Sequence, residues 1–278
     1  MHLCTLKPCN TTANYAIIIL LVLKGQVVSN NKKNKSKNAI LNNKSKGKIL
    51  LLWCDNGNTD GKFTEGLVYT LMTAQQIPIA SALRVQGNQI GRQRQVALDY
   101  WYNQTDFEWT LWVDSDIHLT AQVLSELWLV ADSTSVPIVS GLYFISKENE
   151  QSIMAPYPAL FNWTDNFYEL SYIHPVPENA LIKIDAAGFG LLLMHRNVVK
   201  KMKEKYGNDY SFFNETGIGD NFISEDINFF KLLSGAEVPL HANTAAHVKH
   251  MKRFAFDIEF YKLFWTMKSL EYKKMEEN

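Results

Sequence analysis

Cysteine is scarce in this 278-residue chain, which has only Cys4, Cys9 and Cys54. Three thiols at such spacings exclude a disulfide scaffold and a Cys-rich zinc site. Cys54 stands in an apolar run and reads as a small buried hydrophobe rather than a nucleophile. Charge of one sign in excess is also missing, because 28 basic residues face 28 acidic ones. That balance removes the clustered positive field on which bulk nucleic-acid binding rests, so no nucleic-acid partner is expected. An apolar run of about 20 residues, the length a membrane-spanning helix needs, is missing too.

What is present begins with a short apolar stretch at residues 15–23, preceded by Lys7 and followed by Val27 and Ser29. This matches the apolar core and small-residue cleavage site of a secretory signal. Residues 1–29 are therefore read as a signal peptide or short signal-anchor, which implies the secretory pathway (ER or Golgi lumen, or secretion) and membrane attachment through the N-terminus. A buried N-terminal strand or helix is the alternative, and it would make the protein cytoplasmic. Residues 30–48 are rich in Asn, Lys and Ser with little to bury, which predicts a flexible stem. Sequons at Asn10, Asn34, Asn43, Asn103, Asn162 and Asn214 suit such a setting but arise easily in an Asn-rich chain.

From Ile49 the pattern changes to alternating strands and helices. Strands are predicted over residues 49–54, 79–85, 109–113 and 136–144, and helices over 63–76, 91–102 and 119–130. With 46% apolar residues this supports a single α/β domain, a mostly parallel sheet flanked by helices. The domain is placed at 49–255, with a helical tail over 256–278. In such sheets ligands gather beyond the carboxyl ends of the strands. Asp55 and the pair Asp114 and Asp116 fall at those ends. Asp114-Ser115-Asp116 offers two hard oxygen donors for a divalent cation, with positions left for phosphate and water. A turn or a helix N-cap, by Asp116 or Thr120, explains the same residues equally well.

Gly91-Arg92-Gln93-Arg94, followed about twenty residues later by Trp-Thr-Leu-Trp-Val-Asp114-Ser115-Asp116, resembles the donor half of GT-A (Rossmann-like) glycosyltransferases. Asp185-Ala-Ala-Gly188-Phe189-Gly190, the strand-like residues 191–195, Ser224-Glu225-Asp226 and Asn243-Thr-Ala-Ala-His247 are similar to the family's later motifs in the same order. The resemblance covers residues 49–250. It implies a metal-dependent transfer of a sugar from a nucleotide-sugar donor to a glycan or other hydroxyl acceptor, with inversion expected.

The resemblance also implies metal ligands Asp114, Asp116 and His247, the last preferred to His241 and His250. Donor contacts would come from Asp55, Arg92, Arg94, Asp114 and Ser115, with either arginine approaching the diphosphate. Acceptor contacts would come from Gly188, Phe189, Gly190 and Trp163. The general base would be Asp226, with Glu225 second. An imidazole ligand would favour Mn2+ over Mg2+, which prefers an all-oxygen shell.

Residues 156–177 read as a proline-rich loop whose aromatic residues Phe161, Trp163, Phe167 and Tyr168 form a lid, a sugar platform or packing beneath it. Lys249, Lys252 and Arg253 are candidates for the donor phosphates or simply cover the last helix. Two alternatives stand: a sugar-phosphate nucleotidyltransferase, disfavoured by the acidic turn after the first strand, and a non-catalytic glycan- or nucleotide-binding relative.

Overall fold

The computed structural model describes residues 18–22, 46–148, 154–165, 169–217, 222–252 and 258–276. Most of the expected signal and stem, together with Phe167, Tyr168 and Arg253, lies outside them.

The chain runs β1 (Ile18–Val22), β2 (Ile49–Asp55), α1 (Gly61–Thr73), β3 (Ile79–Gln86), α2 (Ile90–Gln104), β4 (Trp109–Val113), β5 (Ile117–His118), α3 (Ala121–Val130) and β6 (Ile138–Leu142). It continues through β7 (Phe144–Glu148), β8 (Met154–Pro158), β9 (Leu160–Trp163), β10 (Leu170–Tyr172), β11 (Leu181–Ile184), β12 (Ala186–Ala187) and β13 (Leu191–His195). The last elements are α4 (Arg196–Tyr206), α5 (Glu225–Gly235), β14 (Leu240–His247), β15 (Lys249–His250) and α6 (Ile258–Glu276).

Every residue of β2 is buried, and the two-residue period of a strand explains how. Leu50, Leu52 and Cys54 enter one apolar layer with Trp101 of α2, Met202 of α4 and Phe229 of α5. Ile49, Leu51 and Trp53 enter the opposite layer with Phe63 of α1 and Leu124 and Trp128 of α3. A strand covered on both faces has no polar side, so its sequence is a continuous apolar run. β4, β6 and β13 are buried at every position in the same way.

The main sheet has eight strands in the order β1-β3-β2-β4-β13-β6-β14-β11. β3, β2, β4, β6 and β14 share one direction, and β1, β13 and β11 oppose it. The antiparallel strand that matters is β13, inserted between β4 and β6. Its first residues lie at the edge where β2, β4 and β6 end. One rim of the sheet therefore carries the ends of the five codirectional strands and the glycine loop that opens β13.

Four features depart from or add to the expected elements. The apolar N-terminal run supplies β1, which pairs antiparallel with β3 from Ile18↔Val85 to Val22↔Ser81. The sheet thus reaches into the segment read as a signal or anchor, and β1 covers what would be an open edge of β3. The fold also begins slightly before Ile49, because Trp109 Nε1 donates to the Lys46 carbonyl at 2.8 Å and Lys46 Nζ to the Trp128 carbonyl at 2.7 Å. The proline-rich stretch is not a plain loop: it contains β8, β9 and β10. Pro156 and Pro158 are accommodated because β8 pairs only with β7. The sequence reading placed no helix after His195. α4 forms there, with Val198, Val199 and Met202 as its buried stripe.

α6 exposes Ile258, Tyr261, Trp265 and Met267. Among the described residues no helix is long and apolar enough to cross a membrane.

At the end of β2 the Asp55 carboxylate is fully enclosed. Arg84 of β3 donates Nε to Oδ2 at 2.6 Å and Nη2 to Oδ1 at 2.7 Å, and the Gly57 N–H donates to Oδ1 at 2.7 Å. Burial pushes the carboxyl upward, but these bonds outweigh it and hold it below its ordinary value. Asp55, expected to touch the donor, is therefore the clasp between two parallel strands. Asp55→Ala should destabilise the fold by about 3 kcal/mol, the usual effect of stripping one partner from a buried pair. The stabilisation from this depressed carboxyl is fully present above the unfolded value of about 4 and is lost as pH falls through the lower folded value. Urea unfolding at pH 7 and pH 3 measures it. An Asp55→Ala penalty of equal size at both pH values would contradict the assignment.

Candidate active site at the carboxyl edge of the sheet

β4 delivers the Asp-Ser-Asp turn. The Asp114 N–H continues the ladder with β13 by donating to the Gly190 carbonyl at 2.9 Å, and the Ile117 N–H closes the turn onto the Asp114 carbonyl at 3.0 Å. The Ser115 carbonyl accepts from the Asp60 N–H at 2.9 Å, tying the turn to the start of α1. Asp114, Ser115 and Asp116 are half-buried. The helix that follows is capped by Thr120, whose hydroxyl accepts from the Val123 N–H. Neither aspartate is needed as a cap.

Arg94 of α2 reaches the turn from the side. Its Nη1 donates to Glu225 Oε1 at 2.8 Å and its Nη2 to both oxygens of Asp114 at 3.2 and 3.3 Å. The guanidinium lies over the Phe189 ring, 5.0 Å from its centroid. Burial works against the charge, but Asp114, Asp226 and Glu225 overcome it and raise the pKa above the usual arginine range. The phase of α2 explains why Arg94 rather than Arg92 takes this place. A Cβ on Gly91 would come within 2.6 Å of the Phe213 carbonyl, so the helix start abuts residue 213 and turns Gln93 and Arg94 inward. Arg92 faces outward and is exposed. Arg94, expected at a diphosphate, is committed to two protein carboxylates.

Asp116 has its own partners. Its Oδ2 lies 3.1 Å from His250 Nε2 and accepts from Lys252 Nζ at 2.8 Å. Burial would raise this carboxyl, but the contacts with His250 and Lys252 bring it below its ordinary value. The chain reaches this position because β15 pairs antiparallel with β5, His250 opposite Ile117, while the Met251 N–H donates to the Asp116 carbonyl at 2.8 Å. The expected third ligand, His247, is instead the exposed last residue of β14, opposite Leu142 of β6. The imidazole at the aspartate is that of His250, three residues on. The sequence reading preferred His247 to His250, and strand register is what separates them.

His250 itself tests whether a cation fits. Its Nδ1 lies 2.9 Å from the Phe144 carbonyl, which can only accept, so Nδ1 carries a proton. Nε2 then faces a carboxylate oxygen. The two atoms are 3.1 Å apart, and Lys252 Nζ meets the same oxygen. An imidazole anchored through its other nitrogen on a carbonyl is the usual arrangement of a metal-binding histidine. Asp116 Oδ2 and His250 Nε2 are thus two donors that could serve a divalent ion, and an ion pair of the imidazole with the carboxylate has the same geometry. Among the described residues no group of three or more His, Cys, Asp or Glu side chains is arranged around one point, so any such ion would take further ligands from substrate or water.

The acidic pair at the start of α5 divides its work. Glu225 is buried against Arg94, and burial, opposed by Arg94, raises its carboxyl. Asp226 is half-buried, and its Oδ1 accepts from the Ser224 hydroxyl and from the Ile227 N–H.

The glycine loop differs from its expected acceptor role. A Cβ on Gly188 would lie 1.9 Å from the Tyr143 hydroxyl oxygen, and one on Gly190 would lie 2.8 Å from Tyr143 Cζ. The Gly190 N–H donates to that hydroxyl at 3.1 Å. The glycines make room for a buried tyrosine whose ring also meets the His250 ring edge-on at 5.2 Å. Phe189 is buried among Trp112, Phe213, Phe229 and Phe230 and presents nothing to an acceptor. Trp163 is half-buried on β9, opposite Leu170 of β10, and its backbone N–H donates to Asp185 Oδ2 at 3.0 Å. Sequence reasoning missed Tyr143, which was absorbed into the apolar strand over 136–144. Its polar tip at a strand's carboxyl end was the available signal. Cys54 is a neutral thiol, pushed up to about 12 by burial against the opposing pull of Arg94.

No protein-family model matches the sequence, and no curated protein matches it. Solved structures do. The crystal structure of A197 from STIV aligns with a TM-score of 0.45 at 16% identity, over 74% of this chain and 86% of that one. The crystal structure of GalNAc-T7 with UDP, GalNAc and Mn2+ aligns with a TM-score of 0.46 at 9% identity, over 76% of this chain and 44% of that one. Both likenesses are to backbone shape, and the reading of the site rests on its own residues.

Proposed function

We propose that this chain is a GT-A-type glycosyltransferase that moves a sugar from a nucleoside-diphosphate donor to a hydroxyl acceptor, with a divalent cation held by Asp116 and His250. The observation that supports this reading is the convergence of Asp116 Oδ2 and His250 Nε2 at 3.1 Å, on the rim where parallel strands end. The order of motifs in the sequence adds to it. A nitrogen ligand favours Mn2+ over Mg2+.

The ion would supply Lewis acidity, neutralising charge that develops on the departing diphosphate. Lys252 offers a second positive charge beside it. Asp114, balanced by Arg94, contributes negative potential at the rim rather than the main bond to the ion. Asp226 is the base: it takes the acceptor hydroxyl proton as that oxygen bonds to the anomeric carbon and the bond from that carbon to the phosphate oxygen breaks. Attack from the face opposite the leaving group inverts the anomeric centre. Glu225 holds Arg94, which in turn holds the Asp-Ser-Asp turn.

The test is a screen of nucleotide sugars for Mn2+-dependent release of nucleoside diphosphate by the full chain. Asp116→Ala and His250→Ala should each lower the rate about 100-fold, while His247→Ala stays near the parent rate. Full activity in both of the first two variants would refute the metal role, and loss in His247→Ala alone would restore the other histidine. Asp226→Asn should bind donor with unchanged affinity yet lose transfer by about 100-fold or more. Donor binding without turnover in the parent chain would favour a non-catalytic relative.

A further inference from the structure

We infer that Lys252 is a displaceable counter-ion of Asp116, giving up the carboxylate to the divalent cation and then standing beside the donor's phosphates. This deepens the metal reading above and rests on it. Lys252 Nζ and His250 Nε2 converge on one atom, Asp116 Oδ2, at 2.8 and 3.1 Å. A cation that takes Oδ2 and Nε2 as ligands meets the ammonium at that shared oxygen, and two positive charges there repel. One of them must leave.

The lysine is the group able to do so. Its side chain is 48% exposed, whereas that of His250 is 9% exposed. His250 is also held by the Phe144 carbonyl and the Tyr143 ring. The backbone between them is pinned by the Met251 N–H on the Asp116 carbonyl, so only the four-carbon stem needs to swing. The displaced ammonium stays within a side chain's length of the ion. That is where phosphate oxygens carried by the ion would lie, and a compact ammonium binds them as a point charge.

Until the ion arrives, the lysine supplies the positive charge that faces the half-buried Asp116 carboxylate at 2.8 Å. The residue thus opposes the bare ion and favours the ion with its donor. Those two effects have opposite signs, which makes the idea testable on one variant.

The experiment titrates the full chain with Mn2+ alone, following free ion by electron paramagnetic resonance, and then adds nucleoside diphosphates at saturating Mn2+. Lys252→Met should tighten binding of the bare ion by roughly threefold to tenfold, in keeping with removal of a partly exposed charge. It should also weaken nucleotide binding. Lys252→Arg keeps the charge and should keep parental Mn2+ affinity, and Lys252→Gln repeats the neutral test with a polar side chain. Unchanged or weaker Mn2+ binding in both neutral variants overturns the inference. Asp116→Ala separates the two levels. If it leaves Mn2+ affinity intact, the metal reading itself fails. If it abolishes binding while the neutral lysine variants match the parent, only the role of Lys252 fails.

Discussion

The buried guanidinium of Arg94 is the constraint around which the rim of this sheet is organised. It joins the turn after β4, through Asp114, to the start of α5, through Glu225, and rests on the Phe189 ring. Three segments far apart in sequence are located by one rigid planar group. Such a cluster adds little net stability, because desolvation offsets most of the attraction, but removing one member leaves an uncompensated charge and typically costs about 3–5 kcal/mol. Its effect is specification. With the turn and the acidic pair both fixed to Arg94, Asp116 and Asp226 project from known positions while Asp114 and Glu225 serve as anchors.

A second set of contacts fixes the histidine. Tyr143 follows β6, and its hydroxyl accepts from Gly190 while the Gly190 carbonyl accepts from Asp114. The same tyrosine ring meets His250, and the next residue, Phe144, holds His250 Nδ1. Gly188 and Gly190 are glycines because a side chain there would occupy the volume of Tyr143. Antiparallel β13 makes this possible, since its first residues lie on the rim reached by the ends of β4 and β6. Backbone hydrogen bonds and the Tyr143 ring thus fix the histidine side of the rim, as Arg94 fixes the side of Asp114 and Glu225.

Much of this was legible in the sequence. The buried strands β2, β4 and β13 were readable because continuous apolar runs have few other uses, and Thr120 was one of two candidate helix caps, with Asp116. Asp114 and Asp116 could be placed at a strand end before any register was known. What could not be read depends on register and helix phase. His247 was preferred because it follows the apolar-to-small run and matches the family position, but β14 pairs irregularly with β6 between Asn243 and His247 and the chain brings His250 to Asp116. Arg92 and Arg94 differ only in the direction α2 faces, which the packing of Gly91 decides. Asp55 looked like a free carboxylate because its partner, Arg84, lies on another strand. Phe189 looked available because glycines flank it, yet those glycines serve Tyr143.

The central claim is that a divalent cation is held jointly by Asp116 and His250. Anomalous diffraction at the manganese edge, from crystals of the full chain soaked in Mn2+ and a nucleoside diphosphate, tests it most directly. The account predicts one strong peak within bonding distance of Asp116 Oδ2 and His250 Nε2, with phosphate oxygens completing the shell. A peak on His247, or one that touches neither residue, would contradict it.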